Sequence, residues 1–428
     1  MLRPGLLTSR SLLTLGAALL TVALAQTQLE PQSVPPRPLV PPMPAATVTA
    51  TMLNPVPRAF SPDLLPRLSV PQGFSLRVVA TGLGNARMPY VMPDGSIYLT
   101  RNEQGDVLLL RDANKDGVIT GNERTVVAQN LRNIHGVTAH GGKLYLSVDK
   151  TVLVADILAG GKLSTPRIFV KDLPDVGQHF ARGVAFGADG FMYLSVGSTC
   201  NDCQDRSNPE VATMLRIAPD GSSREVYASG LRHTIGFDWQ PGTGKLFGLD
   251  QGSDWHGDDQ PPEELNQIGR GQNYGWPYCF ADKQADPYVN NAPQGNPTKE
   301  EFCAAQTSGS LLTYTAHAAA ISFHFYTGKQ FPAEFRNDAF ATFRGSWNRS
   351  EPSGYQLARV HFDAQGKPLS ITPFVSGFVY HDDNQKEANG WTQFGRLAGL
   401  AQDIDGSLLF TDDQSGVLYR LSYTGGQK

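Results

Sequence analysis

"GVAFGADGFMYLS" (183–195), set beside "GVTAHGGKLYLS" (136–147) and "VMPDGSIYLT" (91–100), decides the fold of this chain. Each is an apolar strand, a Gly/Asp turn and a second β-rich strand, which is a hairpin pattern. "GFDWQPGTGKLFGL" (236–249) and "GLAQDIDGSLLFT" (399–411) repeat it, and "DAFATFRGSWN" (338–348) is a less regular sixth copy. A strand ending in a polar turn recurs as "VVATGLGN" (78–85), "VVAQNLRN" (126–133) and "VYASGLRH" (226–233). A further strand completes the unit, as in "DVLLLRDA" (106–113), "TMLRIAPD" (213–220) and "VLYRLSY" (417–423). A unit of about four strands cannot bury both faces alone, so copies must pack face to face around an axis. The expectation is an all-β chain folded as a six-bladed β-propeller of four-stranded antiparallel blades. The strand near Ser75–Ala80 is expected to join the last blade and close the ring. A β-sandwich array or a solenoid would use the same turns.

Composition agrees with that reading. Gly 44 and Pro 30 in 428 residues suit short strands and many turns, and 40% hydrophobic residues supply a core. The formal net charge is −4 and there is no basic run, which argues against nucleic acid or an anionic membrane as partner. Arg3 and Arg10, the apolar run 11–24 and Ala23-Leu24-Ala25 read as a secretory signal over 1–25, with cleavage before Gln26. A proline-rich extension or linker is expected over 26–67, and the propeller over 68–428. Export to the periplasm or the medium makes the four cysteines disulfide candidates. Two local bridges, Cys200–Cys203 and Cys279–Cys303, are the natural pairing, although four cysteines allow three connectivities.

A propeller gathers functional residues where its innermost strands meet the axis. His135, His179, Arg232-His233 and Arg396 each precede such a strand. Cationic and basic groups converging on one channel suggest a pocket for a polyanion with a base beside it. The loop "GLDQGSDWHGDDQPPEELN" (248–266) holds Asp250, Asp254, Asp258, Asp259, Glu263 and Glu264 on a Gly/Pro-broken backbone. That donor set suits Ca²⁺ as well as it suits a solvated acidic loop. In "DANKDGVITGNE", Asp112, Asn114, Asp116, Gly117 and Glu123 have the spacing of a calcium loop without flanking helices. A structural Ca²⁺ clip and a metal-free hairpin both fit it.

The run "GLRHTIGFDWQPGTGKLFGLDQGSDWHGDDQPPEELNQIGRGQNYGWP" (230–277) resembles the soluble pyrroloquinoline-quinone (PQQ)-dependent sugar dehydrogenases, the glucose/sorbosone dehydrogenase family. The likeness extends over roughly Val70 to Ser422, and "GSTCNDC" and "FRGSWNRSEPSGY" lean toward the sorbosone branch. The resemblance implies a six-bladed propeller that binds PQQ and Ca²⁺. It implies His179 as general base for the substrate hydroxyl and Arg232 as the cation beside the reactive quinone carbonyl. His233 stands where the glucose enzymes carry Asn. The backbone carbonyls of Gly252 and Ser253 match those that hold the cofactor-bridging Ca²⁺. Arg396 matches an arginine for the cofactor carboxylates, Arg344 and Arg349 compete for a second such place, and His317 is a further cleft candidate. The implied activity is oxidation of a sugar or related aldehyde or alcohol, with electrons leaving to a separate acceptor. A Ca²⁺-dependent propeller hydrolase such as a lactonase, or a non-catalytic binding propeller, would share the fold.

Overall fold

A computed structural model describes residues 48–203 and 207–425. The expected signal at 1–25 and the proline-rich stretch as far as 47 lie outside the described residues. Within them the chain is almost wholly β, with one α-helix, Lys299–Gln306. Six four-stranded antiparallel sheets follow one another along the chain. The first runs from Ala86–Val91 to Arg124–Ala128, the second from Val137–His140 to Arg167–Val170, and the third from Val184–Phe186 to Arg224–Ser229. The fourth starts at Thr234–Trp239 and ends at Leu312–Tyr314; the fifth spans Ala320–Phe325 to Pro368–Val375. The sixth takes three strands from the C-terminal end and its outermost, Phe74–Ala80, from the beginning, pairing Leu76 with Leu421. The expected closing strand is therefore present.

Packing between sheets is cyclic. Leu144 and Leu146 of the second sheet pack with Tyr98 and Val107 of the first. Leu409 and Leu418 of the sixth pack with Ile97 and Leu99 of the first, so the series returns on itself. Such fully buried side chains contribute about 1.5–3 kcal/mol each.

Two repeated devices set the inner strands. The "YLT" and "YLS" hydroxyls sit at the ends of second strands. Thr100 accepts the Met88 N–H (3.0 Å) and donates to the His135 carbonyl of the next sheet (2.7 Å). Ser147 accepts from Gly136 N–H (2.9 Å) and donates to the Arg182 carbonyl (2.8 Å). Thr411 does the same from Gly399 N–H to the Arg87 carbonyl, both at 2.7 Å, across the ring closure. Beside these hydroxyls, the glycine of "GV" or "GL" admits the neighbouring strand. A Cβ on Gly183 would lie 2.0 Å from the Ile235 carbonyl oxygen, and one on Gly399 2.1 Å from that of Arg87. Sheets without these glycines could not approach the axis so closely. Ala181, Ile235, Ile321 and Ala398, with Met88 against them, form an apolar plug across that axis.

Residues 48–67 are the described part of the expected extension or linker. Val56–Pro57 pairs in parallel with Thr392 and Gln393, and Leu53 and Leu64 are buried. Apolar residues at these two positions give the stretch after residue 47 a surface to bury, which a pure spacer lacks. Both expected disulfides form, Cys200–Cys203 and Cys279–Cys303, each with Cα atoms 5.8 Å apart.

Candidate active site

Above the apolar plug opens a cleft of about 380 Å³ whose walls include His179, Arg232, His233, His317, Arg344 and Arg396. Side chains from distant stretches of the sequence thus meet in one place. Gly252 also lines this cleft, whereas Ser253 lines a small cavity beside it.

His179 ends a short turn, Gly177–His179, ahead of the third sheet and is 7% exposed. Its Nδ1 lies 2.8 Å from the Ser198 carbonyl, which can only accept, so Nδ1 carries the proton and Nε2 keeps its lone pair. The Ser198 hydroxyl, 2.9 Å from the same Nδ1, spends its own proton on the Cys200 carbonyl at 2.7 Å. Burial, and then the Arg232 charge, lower the His179 pKa to about 4, so the ring is neutral at neutral pH. Its ring centroid is 4.9 Å from that of His233. Gly197 permits this approach: a Cβ there would lie 2.6 Å from His179 Cβ and 2.7 Å from His233 Nδ1.

Arg232 is held from three directions. Its Nε donates to the Asn201 carbonyl, and its Nη2 donates to Asn201 Oδ1 and Asp254 Oδ2, all at 2.9 Å. Asp250 fixes the backbone beneath, accepting the Arg232 and His233 N–H groups at 2.9 Å and the Thr234 hydroxyl at 2.6 Å. Burial pushes the Asp250 carboxyl up to about 6 in spite of these donors. Asp250 thus anchors a strand entry and does not face the cleft.

The opposite wall contains a residue absent from the sequence-based expectations. Arg87 forms an ion pair with Asp413, to which Arg344 also donates at 2.9 Å. Arg396 has no carboxylate of its own; Nε and Nη2 donate to the carbonyls of Arg344 (3.2 Å) and Gly345 (2.6 Å). Burial first, and the Arg344 charge second, lower its pKa to about 10, so it remains a cation. His135 stands behind this wall: its Nε2 accepts from Arg87 Nη2 at 3.0 Å, and it does not line the cleft. The physical reason is its partner: the longer side chain of Arg87 lines the cleft and donates to the His135 ring, which is buried against it. Arg87, in "GNARM", matches His135 in "RNIHG", and that alignment is the signal that points to it.

Other expected residues fall elsewhere. Arg349 is outside the cleft, donating to the Asp258 carbonyl and lying 3.7 Å from Asp259. Of the two competing arginines, only Arg344 lines the cavity. His317 Nε2 meets the Gly257 carbonyl at 2.8 Å and Nδ1 meets Asn348 Nδ2 at 3.3 Å, so both nitrogens are engaged by the protein. In the acidic loop, Asp254 serves Arg232 and Asn348, and Asp258 accepts the Ser350 N–H at 3.0 Å. Burial pushes Glu263 and Glu264 up to about 8. In the 112–123 loop, Asp112, Asp116 and Glu123 accept amides of their own turn at 2.8–3.1 Å. Asn114 accepts the Asp116 N–H there at 2.9 Å. Among the described residues no group of three or more His, Cys, Asp or Glu is placed to hold a metal ion.

Four-stranded sheets packed in cyclic order around an axial cleft lined by several guanidinium groups define an all-β fold of the propeller kind. Residues 68–424 match the TrAA12-like family, and the chain belongs to that family. A PQQ-dependent pyranose dehydrogenase of Coprinopsis cinerea is 23% identical over 413 residues, covering 84% of this chain and 55% of that enzyme. The chain therefore spans about half the length of that relative. The holo PQQ domain of C. cinerea pyranose dehydrogenase has a TM-score of 0.67 at 20% identity, covering 86% of this chain and 98% of that one. The calcium structure of a Trichoderma reesei family AA12 protein reaches 0.71 at 19% identity, covering 83% and 97%. The structural likenesses support the fold; none singles out the sorbosone branch.

Proposed function

We propose that this chain is an exported, six-bladed propeller dehydrogenase that oxidises a sugar or a related aldehyde or alcohol, with PQQ and Ca²⁺ as cofactors. The observation that carries the reading is the neutral His179, its Nε2 lone pair free of Ser198, beside a rigidly held Arg232 in a cleft of cations. The donor set fits the cofactor. Asp254 and Asp413 offset part of the charge of Arg87, Arg232 and Arg344, while Arg396, held by carbonyls alone, keeps a full positive charge for a polycarboxylate. PQQ, when bound, supplies the acceptor for the hydride leaving the substrate carbon. His179 Nε2 takes the substrate hydroxyl proton, a task that needs the neutral ring its burial enforces. Arg232 brings a fixed charge to the side of the cleft where negative charge develops. The Gly252 and Ser253 carbonyls would hold Ca²⁺, a hard cation that takes oxygen donors.

A lactonase would share fold and metal, but a neutral substrate gives several axial arginines no partner. The two disulfides agree with an oxidising compartment, and among the described residues no helix is long and apolar enough to cross a membrane. The test is reconstitution of purified protein with PQQ and Ca²⁺, followed by aldoses, sorbosone and simple aldehydes with an acceptor dye. Dye reduction that depends on PQQ is expected. Its absence with every substrate, together with no cofactor-dependent rise in Tm, would overturn the reading. His179→Ala should still bind PQQ and lose turnover at least a hundredfold; full activity would show that the base lies elsewhere.

A further inference from the structure

Three chain segments meet beside the cleft at Asn201, the residue after the first cysteine of Cys200-Asn201-Asp202-Cys203. Its carbonyl accepts from Arg232 Nε at 2.9 Å and from the Ser253 hydroxyl at 3.1 Å. Its side-chain oxygen accepts from Arg232 Nη2 at 2.9 Å and from the Asp254 N–H at 2.6 Å, and its Nδ2 donates to the Asp254 carbonyl at 2.8 Å. One side chain thus ties the guanidinium to the 252–254 turn. The disulfide closes a small ring around this residue. On the same loop, the Ser198 hydroxyl bonds the Cys200 carbonyl, and the Ser198 carbonyl orients His179. His256, from the acidic loop, reaches Asp202 of the ring at 3.2 Å.

We propose that Asn201, braced by the Cys200–Cys203 ring, is the positioning residue that sets Arg232 against the 252–254 turn and keeps His179 and Arg232 in one geometry. The inference rests on the roles given above to Arg232 and His179. The physical argument is entropic as well as geometric. A free loop would lose backbone freedom each time it gathered five hydrogen bonds, and the covalent ring removes part of that freedom beforehand. Cys203 is exposed and Cys200 half-buried, whereas Cys279 and Cys303 are both buried. The clamp is therefore the bridge within reach of a mild reductant.

The experiment compares wild type, Asn201→Ala and the Cys200→Ser/Cys203→Ser double variant as full-length protein. PQQ affinity is read by quenching of tryptophan fluorescence, kcat and KM by dye reduction, and kcat/KM across pH. For Asn201→Ala, kcat should fall at least tenfold, KM for sugar should change less than threefold, and PQQ should bind at least fivefold more weakly. The acid limb of the pH profile should also move upward. Arg232 lowers the His179 pKa and Asp254 raises it by less, so loosening both from Asn201 raises that pKa on balance. A merely structural defect would lower the rate and leave the limb in place. The double variant should reproduce the loss in part, and mild reduction of wild type should mimic it reversibly. Should Asn201→Ala fail to fold, the double variant and the reduced wild type decide the matter by the same limb. Wild-type constants and limb in the variants that fold, with wild type active, would overturn the clamp alone. A wild type that neither binds PQQ nor reduces dye would overturn the proposed function and the clamp with it.

Discussion

Two acidic runs, Asp112–Glu123 and Asp250–Glu264, look alike in the sequence and are used in opposite ways. In the first, the carboxylates accept amides of the same loop, as when Asp112 takes the Gly117 N–H at 2.9 Å and Glu123 that of Thr120 at 2.9 Å. In the second, partners come from distant stretches of the chain: Asp254 reaches Arg232 and Asn348, and Glu263 accepts the Ala319 N–H at 2.8 Å. The first run is largely exposed, while Asp250, Glu263 and Glu264 are buried. The difference teaches that acidic density alone does not mark a site. What separates the runs is whether a carboxylate is satisfied locally, which favours a turn, or must find a distant donor, which fixes one part of the chain against another.

The comparison breaks most visibly at Asp250. Asp250→Ala leaves two buried amides and the Thr234 hydroxyl without their acceptor. At about 1–3 kcal/mol for each unmet group, urea denaturation should show a loss of about 3 kcal/mol or more. Turnover should fall about a hundredfold, because Arg232 and His233 lose their backbone anchor. A variant as stable as wild type would show that the inner run is as dispensable as the outer.

The next effect is one of pH. His179 has a folded pKa lowered to about 4, below the ordinary histidine value of 6.5. Between those values the unfolded chain binds the extra proton, so stability rises with pH across that window and is lost as pH falls from about 6.5 toward 4. The His179 contribution is about 3 kcal/mol at most. Denaturation of His179→Gln against wild type should show a shallower loss on the acid side. An identical slope in both would mean that the ring is not held neutral by its surroundings.

Much of this architecture is legible in the residues alone. The hairpin turns, the closing strand and both disulfides are readable because each rests on local patterning. So is the convergence of His179, Arg232, His233 and Arg396, since each precedes an inner strand in a short motif; Arg344 follows from the family resemblance and not from the residues alone. The hydroxyls of "YLT" and "YLS" stand in plain view, yet their role cannot be read locally, because their acceptors belong to the next sheet, 35 residues on for both Thr100 and Ser147. Asn348 and Asp413 are invisible for the same reason: their partners lie 94 and 326 residues away. His135 departs from the expected cleft position because it is buried against Arg87, 48 residues earlier, whose longer side chain takes the place at the cleft. Gly197 carries no signal at all, since its role is the absence of a Cβ between two imidazoles.

A sharper and smaller test lies in Asp254→Asn. The change removes the charge that pairs with Arg232 Nη2 at 2.9 Å but keeps the shape of the side chain. Asn201 still holds the guanidinium, so kcat should fall about tenfold and not a hundredfold. Stability should fall by about 1–3 kcal/mol, since Arg232 is buried and loses a charged acceptor but keeps its Asn201 partners. A fall as deep as that of Asp250→Ala would mean that the ion pair, and not the backbone anchor, fixes Arg232.

The smallest expected effect belongs to the outer run and bounds the comparison from below. Asp112→Ala removes acceptors for the Asp116 and Gly117 amides, but these lie near the surface, where water replaces the lost oxygen. Denaturation should show a loss of about 1 kcal/mol or less, and turnover, PQQ affinity and the pH profile should match wild type. Calorimetric titration with Ca²⁺ supplies the decisive number. If the outer loop is a metal-free turn, wild type and Asp112→Ala take up the same amount of Ca²⁺, and all of it depends on the inner run and the cofactor. One fewer Ca²⁺ per chain in Asp112→Ala would make the outer loop a metal clip, and local satisfaction by amides would then cease to separate a turn from a site.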